Sequence, residues 1–233
     1  MMITLDYDHY TLMCKLNHST FHIPPPCHES LRYVHYDDHI LVVEKPAGLL
    51  TVPGRVVKDC VLNRVLGDFP AAIIVHRLDL DTSGLVILSL SKQSVSAMNR
   101  LFRERSIQKT YTALVDGQVT ACGGSIDLPI AADPDHRPRQ RIDRVSGKDA
   151  VTRFEVIRRL DDETRLALYP VTGRQHQLRL HLASIGHPIL GCDLYANATA
   201  LAKASRLMLH AAKVEFNHPV TDRPVSFESS APF

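Results

Sequence analysis

Two stretches of the chain concentrate side chains that can do chemistry. The first is His76-Arg77-Leu78-Asp79-Leu80-Asp81-Thr82-Ser83-Gly84, a polar segment between two short apolar runs, Ile73–Val75 and Leu85–Leu90. Such a connection is where a rigid scaffold usually carries functional groups. It offers two carboxylates beside an arginine and a histidine. A plainer account is also open, in which Asp and Thr satisfy the turn and Arg77 is a surface charge. The second stretch runs from Thr172 through Gly173, Arg174, Gln175, His176, Gln177, Leu178 and Arg179 to His181, at the start of a segment with helical spacing. His176 and His181 are five apart, the wrong offset for a zinc helix, and no HExxH glutamate lies between them, so no metal site is expected. Arg174 and Arg179 are also five apart and do not share one narrow face. One of them can meet a carboxylate inside while the other serves the helix N-terminus or a phosphate.

For these groups to meet, the surrounding elements must bring them together. Leu31–Tyr36 and His39–Glu44 flank Asp37-Asp38 and predict a hairpin, which Lys45-Pro46-Ala47-Gly48 ends. Asp59–Leu66 has helical spacing. Ser91 is placed to cap a helix whose Val95, Met98, Leu101 and Phe102 share one face, leaving Arg100, Arg103 and Arg105 for solvent or phosphate. Tyr111–Val115, Val151–Val156, Leu166–Tyr169, Leu207–Phe216 and Val225–Phe227 read as strands. Residues 133–149, charged and broken by Pro134 and Pro138, read as a long loop or irregular hairpin. Arg174–Ile185 carries Leu178, Leu182 and Ile185 at i, i+4 and i+7, with Gly186 as the closing glycine. There is no GxGxxG, no GxxxxGK[ST] and no regular βαβ alternation. The fold class expected is α+β, a mostly antiparallel, mixed central sheet flanked by helices and loops.

Composition narrows the classes further. The 233 residues are 45% hydrophobic with a net charge of +2, which suits a globular body and excludes bulk disorder. Apolar runs such as Ala71–Val75 fall far short of the roughly 20 residues of a membrane helix. Asp6 and Asp8 stand where a secretory signal would need an apolar stretch. Five scattered cysteines form neither a CxxC knuckle nor a disulfide framework, so a reducing cytoplasm is expected. Residues 1–30 are His-rich and end in Pro24-Pro25-Pro26. They are expected to be a poorly ordered extension ahead of a single body at 31–233, and His9, His18, His22 and His28 lack the spacing of a metal site. Two basic clusters stand out, one at Arg100, Arg103, Arg105 and Lys109, the other at Arg137, Arg139, Arg141, Arg144 and Lys148. Either is a solvated face or a phosphate-binding one.

The run HRLDLDTSG at 76–84 resembles the HRLDxxTSG signature of the RluA family of pseudouridine synthases. GRQHQLRLHLASIGHPILGCDLY at 173–195 is similar to the family's second signature at nearly every position. Lys109-Thr110-Tyr111 matches its K-x-Y element, and Glu44–Gly48 its K-P-x-G element, all in the right order from about residue 37 to 220. Asp127–Ile130 and Arg137–Ile142 resemble the short dual-specificity branch acting on tRNA and large-subunit (23S) rRNA. The roughly 30 residues ahead of the body are too few for the S4 RNA-binding domain that many relatives carry.

The resemblance implies the pseudouridine synthase catalytic fold and the exchange of the uridine N1–C1′ bond for a C5–C1′ bond. That reaction needs no cofactor and no metal. Asp79 matches the family's catalytic aspartate, Arg179 the arginine that salt-bridges it, and Tyr111 the tyrosine that packs on the uracil with a hydroxyl placed to assist proton removal. Without that context, a strand tyrosine is a core residue. Asp79 serves equally whether it adds to C6 of the base or attacks C1′. The target base is flipped out of folded RNA, and Arg77 fills the gap it leaves. His76, Arg77, Lys109, Arg137, Arg139, Arg141 and Arg174 are then RNA-binding residues, the basic clusters positioning phosphates. The partners expected are RNA, with no membrane, and the chain is expected to act as a cytoplasmic monomer. Two other classes stay open at this stage. One is a non-catalytic RNA-binding or chaperone module on the same scaffold. The other is an unrelated hydrolase pairing Asp79 with His76 or His176, which lacks a nucleophile elbow.

Overall fold

The computed structural model describes residues 23–233. The histidines at 9, 18 and 22 and the larger part of the expected extension lie outside the described residues. The chain touches the body already at Cys27 and Glu29, whose carbonyls accept hydrogen bonds from the Arg64 guanidinium.

The alternation of Ile40-Leu41-Val42-Val43 decides the first half of the molecule. Strand β1 (Arg32–Tyr36) pairs antiparallel with β2 (Ile40–Lys45), as the Asp37-Asp38 turn predicts, and Asp37 Oδ1 accepts from the His39 and Ile40 N–H groups. On one face, Leu41 and Val43 pack with Val86 and Leu88 of β4 (Ser83–Ser89) beneath helix α1 (Val61–Val65). On the other, Ile40 and Val42 pack with Leu85 and Ile87 beneath Met98 of α2 (Lys92–Arg103). A run apolar on both faces must be covered on both, and the two helices do this. Ser91 caps α2 in a reciprocal capping box with Ser94, both bonds 3.2 Å. Helix α1 is shorter than the spacing predicts: Cys60 is its N-cap, while Asp59 lies outside it and holds Arg64.

The main sheet runs β1-β2-β4-β11-β5-β10-β9-β6, with β3 (Ile73–Ile74) on β4 and β12 (Pro224–Glu228) on β11. The remaining members are β5 (Gln108–Asp116), β6 (Gly123–Asp127), β9 (Val151–Arg159), β10 (Glu163–Pro170) and β11 (Leu209–Asn217). Its pairings are antiparallel except β4 with β11, so the sheet is mixed and mostly antiparallel, as expected. Strand β7 (Ile130–Ala132), just ahead of residues 133–149, and β8 (Gln140–Ile142), within them, form a separate hairpin. Two short elements carry little sequence signal: edge strand β6, which begins Gly-Gly, and helix α4 (Ala198–Ala202).

The parallel seam between β4 and β11 positions the chemistry. Gly84 sits opposite Ala211 of β11, and Ala211 sits opposite Tyr111 of β5. Gly84 has φ +112°, and any Cβ there would overlap the Ala211 backbone. The glycine that ends the first polar stretch thus lets two strands close up, leaving Tyr111 about 10 Å, two strand spacings, from the loop that carries Asp79. Helix α3 (Gln177–Ser184) lies over the second half of the sheet, with Leu178 and Leu182 buried against Ala113, Val115, Leu166 and Leu168. Each such leucine contributes about 1.5–3 kcal/mol of burial. Gly186, at φ +85°, closes α3 where the sequence placed it.

Candidate active site

The loop before β4 is clamped on both sides of Asp79. Thr51 Oγ1 donates to the Leu78 carbonyl (2.9 Å) and accepts from the Leu78 N–H (3.2 Å). The Leu80 carbonyl receives the Gly48 N–H (3.0 Å) and the Lys45 ammonium (2.8 Å). Lys45 has no exposed surface, and its Nζ also donates to the Pro46 and Leu49 carbonyls at 2.8 and 2.7 Å. Burial pushes its pKa down to about 7, with Asp81, Cys27 and Asp79 pulling it back up. Asp79 itself is half-buried, its backbone held between these neighbours.

A second set of bonds ties the end of this loop to the C-terminal strands. Arg206 donates to Ser83 Oγ (2.5 Å), and Ser83 Oγ lies 2.8 Å from His210 Nδ1. His210 Nε2 reaches Ser229 Oγ (2.9 Å), and Ser229 donates to Glu44 (2.7 Å). Burial lowers the His210 pKa, so the ring is neutral. The chain then has one consistent direction, from the Arg206 cation to the Glu44 carboxylate.

Around Asp79 lies a pocket of about 280 Å³, near the lower end for small-ligand sites. Asp79, Tyr111, Arg179, His76, Arg77, Lys109 and Arg174 all line it. The structure therefore converges residues drawn from three separate parts of the sequence. The pocket opens into a cleft of about 1240 Å³ that shares Phe102, Lys109 and Arg174 with it and adds Arg103, Arg105 and Arg153. Of the first basic cluster, Arg103, Arg105 and Lys109 reach the cleft and Arg100 does not. Arg137, Arg139 and Arg141 line neither space. They sit on the β7–β8 hairpin and its loop, where Arg141 is ion-paired with Asp143 at 3.1 Å.

One expectation needs correction. Arg179 does not pair directly with Asp79. Its Nη2 makes a close ion pair with Asp193, its Nε meets Cys192 Sγ at 3.3 Å, and its guanidinium lies 5.7 Å from the Tyr195 ring centroid. The reason is local: α3 delivers Arg179 beside the turn after Gly191, and Asp79 acts on it only through space. Burial works against the charge, but Cys192, Asp193 and Asp79 outweigh it and raise the Arg179 pKa. His76 is not a cation available to phosphate. Its Nε2 accepts the Ile87 N–H (2.9 Å), its ring lies against Phe102, and burial, then Lys109, lowers its pKa to about 3.

Tyr111 is a neutral phenol, because burial first and the Asp79 charge second push its pKa up. Arg77 is exposed at the pocket mouth. Arg174 donates from Nε to the Asp149 carbonyl (3.0 Å). Helix α3 begins at Gln177 rather than Arg174, because the Gln177 amide captures Thr172 Oγ1 (2.7 Å), the Arg174 N–H (3.0 Å) and the Val151 carbonyl (3.0 Å). Those bonds replace the expected first helical turn with a loop that faces the pocket.

A carboxylate, a phenol and a buried guanidinium around a pocket sized for one ring, opening on a basic cleft, suit a nucleotide swung out of a nucleic acid. A family model for RNA pseudouridylate synthases matches residues 39–184. The chain belongs to the RNA pseudouridylate synthase family. It is 48% identical over 203 residues to a dual-specificity RNA pseudouridine synthase RluA of Yersinia pestis, covering 86% of this chain and 98% of that protein. The RluA of Escherichia coli K12 is 44% identical over 212 residues, covering 90% and 97%. Among solved structures, human RNA pseudouridylate synthase domain containing 1 superposes with a TM-score of 0.77 at 27% identity, covering 91% of this chain and 87% of that one. This chain is thus a pseudouridine synthase, and the α+β fold is the family's.

Sequence reasoning missed several residues of this synthase's pocket region. Asp193 and Tyr195 lie at the end of the run Gly173–Tyr195, whose one acidic residue and one tyrosine are the available signal. Lys45 opens the Lys45–Gly48 turn in the sequence, but a buried lysine cannot be told from a solvated one by spacing.

Proposed function

We propose that this synthase isomerises specific uridines in structured RNA, in a tRNA anticodon stem-loop and in a large-subunit rRNA hairpin. The reading is carried by the convergence of Asp79, Tyr111 and Arg179 on one small pocket beside a basic cleft. Support for two RNA classes is the name dual-specificity borne by relatives at 44–48% identity over nearly their whole length.

In the reaction, Asp79 supplies the ionised oxygen at the sugar–base junction. The N1–C1′ bond breaks, the uracil turns, C5 bonds to C1′, and the C5 proton leaves for solvent while N1 gains one. The exchange is redox-neutral and calls on no electron donor or acceptor. Arg179 lends positive charge from across the pocket, its place fixed by Asp193. Tyr111 packs on the uracil, with its hydroxyl placed to assist removal of the C5 proton. Arg77 enters the stack at the place the base leaves. Arg103, Arg105, Lys109 and Arg174 follow the RNA backbone, with Arg137 and Arg139 reaching it from the hairpin and Arg141 already engaged by Asp143. Residues 31–233 form the catalytic unit, and the enzyme works in the cytoplasm as a monomer.

Mapping pseudouridines in tRNA and 23S rRNA from cells with and without the gene tests the reading. It predicts the loss of at least one site in each RNA class. Identical maps would refute it, and loss in one class alone would refute the dual specificity.

A further inference from the structure

We infer that His176 donates a hydrogen bond from Nε2 to a carbonyl oxygen of the flipped uracil, and that Tyr195 and the Gln140 backbone fix the tautomer that makes this possible. The inference rests on the pocket taking a uridine, as proposed above.

Three atoms determine the protons. Tyr195 Oη lies 2.8 Å from the Gln140 nitrogen and 2.8 Å from His176 Nδ1. A backbone N–H can only donate, so Tyr195 oxygen accepts there. The phenol has one proton of its own, and no other acceptor lies within hydrogen-bond reach of it among the described residues. That proton therefore goes to Nδ1. A neutral imidazole that accepts at Nδ1 carries its hydrogen on Nε2. Neutrality is favoured by burial, which lowers the His176 pKa, with Arg179 and Arg77 acting in the same direction against Asp79 and Asp193.

The Nε2–H faces the pocket. His176 is only 8% exposed, and it lines the space around Asp79. Nε2 has no protein partner among the described residues and is not a sealed, orphaned atom, so it keeps accessible surface on a ring that lines the pocket. The backbone adds a second sign of purpose. His176 has φ +55°, a left-handed conformation at the residue before α3 that side chains seldom adopt and that clusters at functional sites. A histidine buried for packing alone needs neither that conformation nor a phenol to choose its tautomer.

The link to Gln140 gives the device a further consequence. Gln140 belongs to β8, in the hairpin that carries Arg139 and Arg141. RNA held on that hairpin is thus one hydrogen bond from the phenol that orients His176.

The test uses the full-length protein and a synthetic stem-loop RNA that the wild type converts, with the target uridine left as uridine or replaced by 2-thiouridine or 4-thiouridine. Single-turnover rates and RNA dissociation constants are measured for wild type, His176→Phe, His176→Gln and Tyr195→Phe. The wild type should slow on one of the two thio-RNAs. His176→Phe should be about tenfold slower on uridine, with little change in affinity, and should show no further loss on that same thio-RNA. His176→Gln keeps a donor near Nε2 and should recover most of the rate; both variants carry a similar backbone cost at φ +55°, so the comparison isolates the donor. Tyr195→Phe should fall between, and it decides the matter should His176→Phe not fold. Equal rates for His176→Phe and wild type, or defects that multiply on both thio-RNAs, would overturn the inference. A wild type that converts no RNA would instead overturn the reading on which it rests.

Discussion

Replacing Lys45 by methionine measures what it takes to hold an ammonium inside this fold. The side chain has no exposed surface, and burial moves its pKa from 10.5 to about 7. A shift of that size corresponds to about 5 kcal/mol at 1.36 kcal/mol per unit. Between the two values the unfolded chain keeps the proton and the folded chain does not, so stability rises with pH across that window. Relative to Lys45→Met, the wild type should gain close to 1.4 kcal/mol per pH unit above pH 7, levelling off below 7 and above 10.5. Opposing the charge term, the ammonium satisfies buried carbonyls. Those of Pro46 and Leu49 would lose their Nζ donor, whereas that of Leu80 keeps the Gly48 N–H. Each orphaned carbonyl costs about 1–3 kcal/mol. At pH 6 the two effects nearly cancel, and the variant should unfold close to the wild type. At pH 9 it should be less stable by about 3 kcal/mol. Urea denaturation followed by circular dichroism from pH 6 to 10 reads this directly, since other titrating groups cancel in the difference. A wild-type advantage independent of pH would refute the reasoning.

Arg179 and Asp193 should separate stability from turnover. Asp193→Ala leaves a buried guanidinium without its closest anion and should cost about 3 kcal/mol, whereas Arg179→Met leaves a carboxylate that is 56% exposed and can rehydrate, so it should destabilise less yet abolish turnover. Thermal melts beside single-turnover rates check both, and Arg179→Met with a normal rate would contradict the role given to Arg179. Tyr111→Phe should slow the chemical step more than binding, and because burial and Asp79 raise its pKa, the wild-type pH–rate profile should show no phenol inflection below pH 10; an inflection near 9 that vanishes in Tyr111→Phe would count against the assignment. RNA affinity should fall steeply with salt, and Arg103→Gln with Arg105→Gln should flatten the slope by about 1.5, at 0.7–0.9 per phosphate, more than Arg137→Gln with Arg141→Gln does. Equal slopes for the cleft pair and the wild type would make those arginines a solvated surface.

How much of this was legible in the sequence depended on whether the deciding contact was local. The β1–β2 hairpin, the Ser91 cap and the Gly186 stop were all readable, because each is set by a few neighbouring residues. Strand β6 was not. Its Gly123-Gly124 start has poor strand propensity, and it exists because the edge of β9 accepts it; only Ile126 is buried there. The parallel pairing of Ser83 with His210 joins residues 127 positions apart, and no periodicity announces it. In the pocket, the types and order of Asp79, Tyr111 and Arg179 were visible and their convergence was expected. The carboxylate that holds Arg179 was not, since Asp79 and Asp193 are equally plausible partners until α3 and the turn after Gly191 are placed in space. The partner of His76 is hidden for a similar reason: its bond to the Ile87 N–H is a fact of strand pairing, not of spacing.

The central claim is that Asp79, in this pocket, breaks and remakes the glycosidic bond of a uridine. Release of tritium to water from RNA carrying 5-³H-uridine reports that step alone, because the label leaves only when C5 takes the sugar. Wild-type protein should release it from tRNA and from 23S rRNA transcripts, while Asp79→Asn, with an unchanged melting curve and retained RNA binding, should release none. Release by Asp79→Asn at the wild-type rate, or none by the wild type from either RNA, would contradict the account.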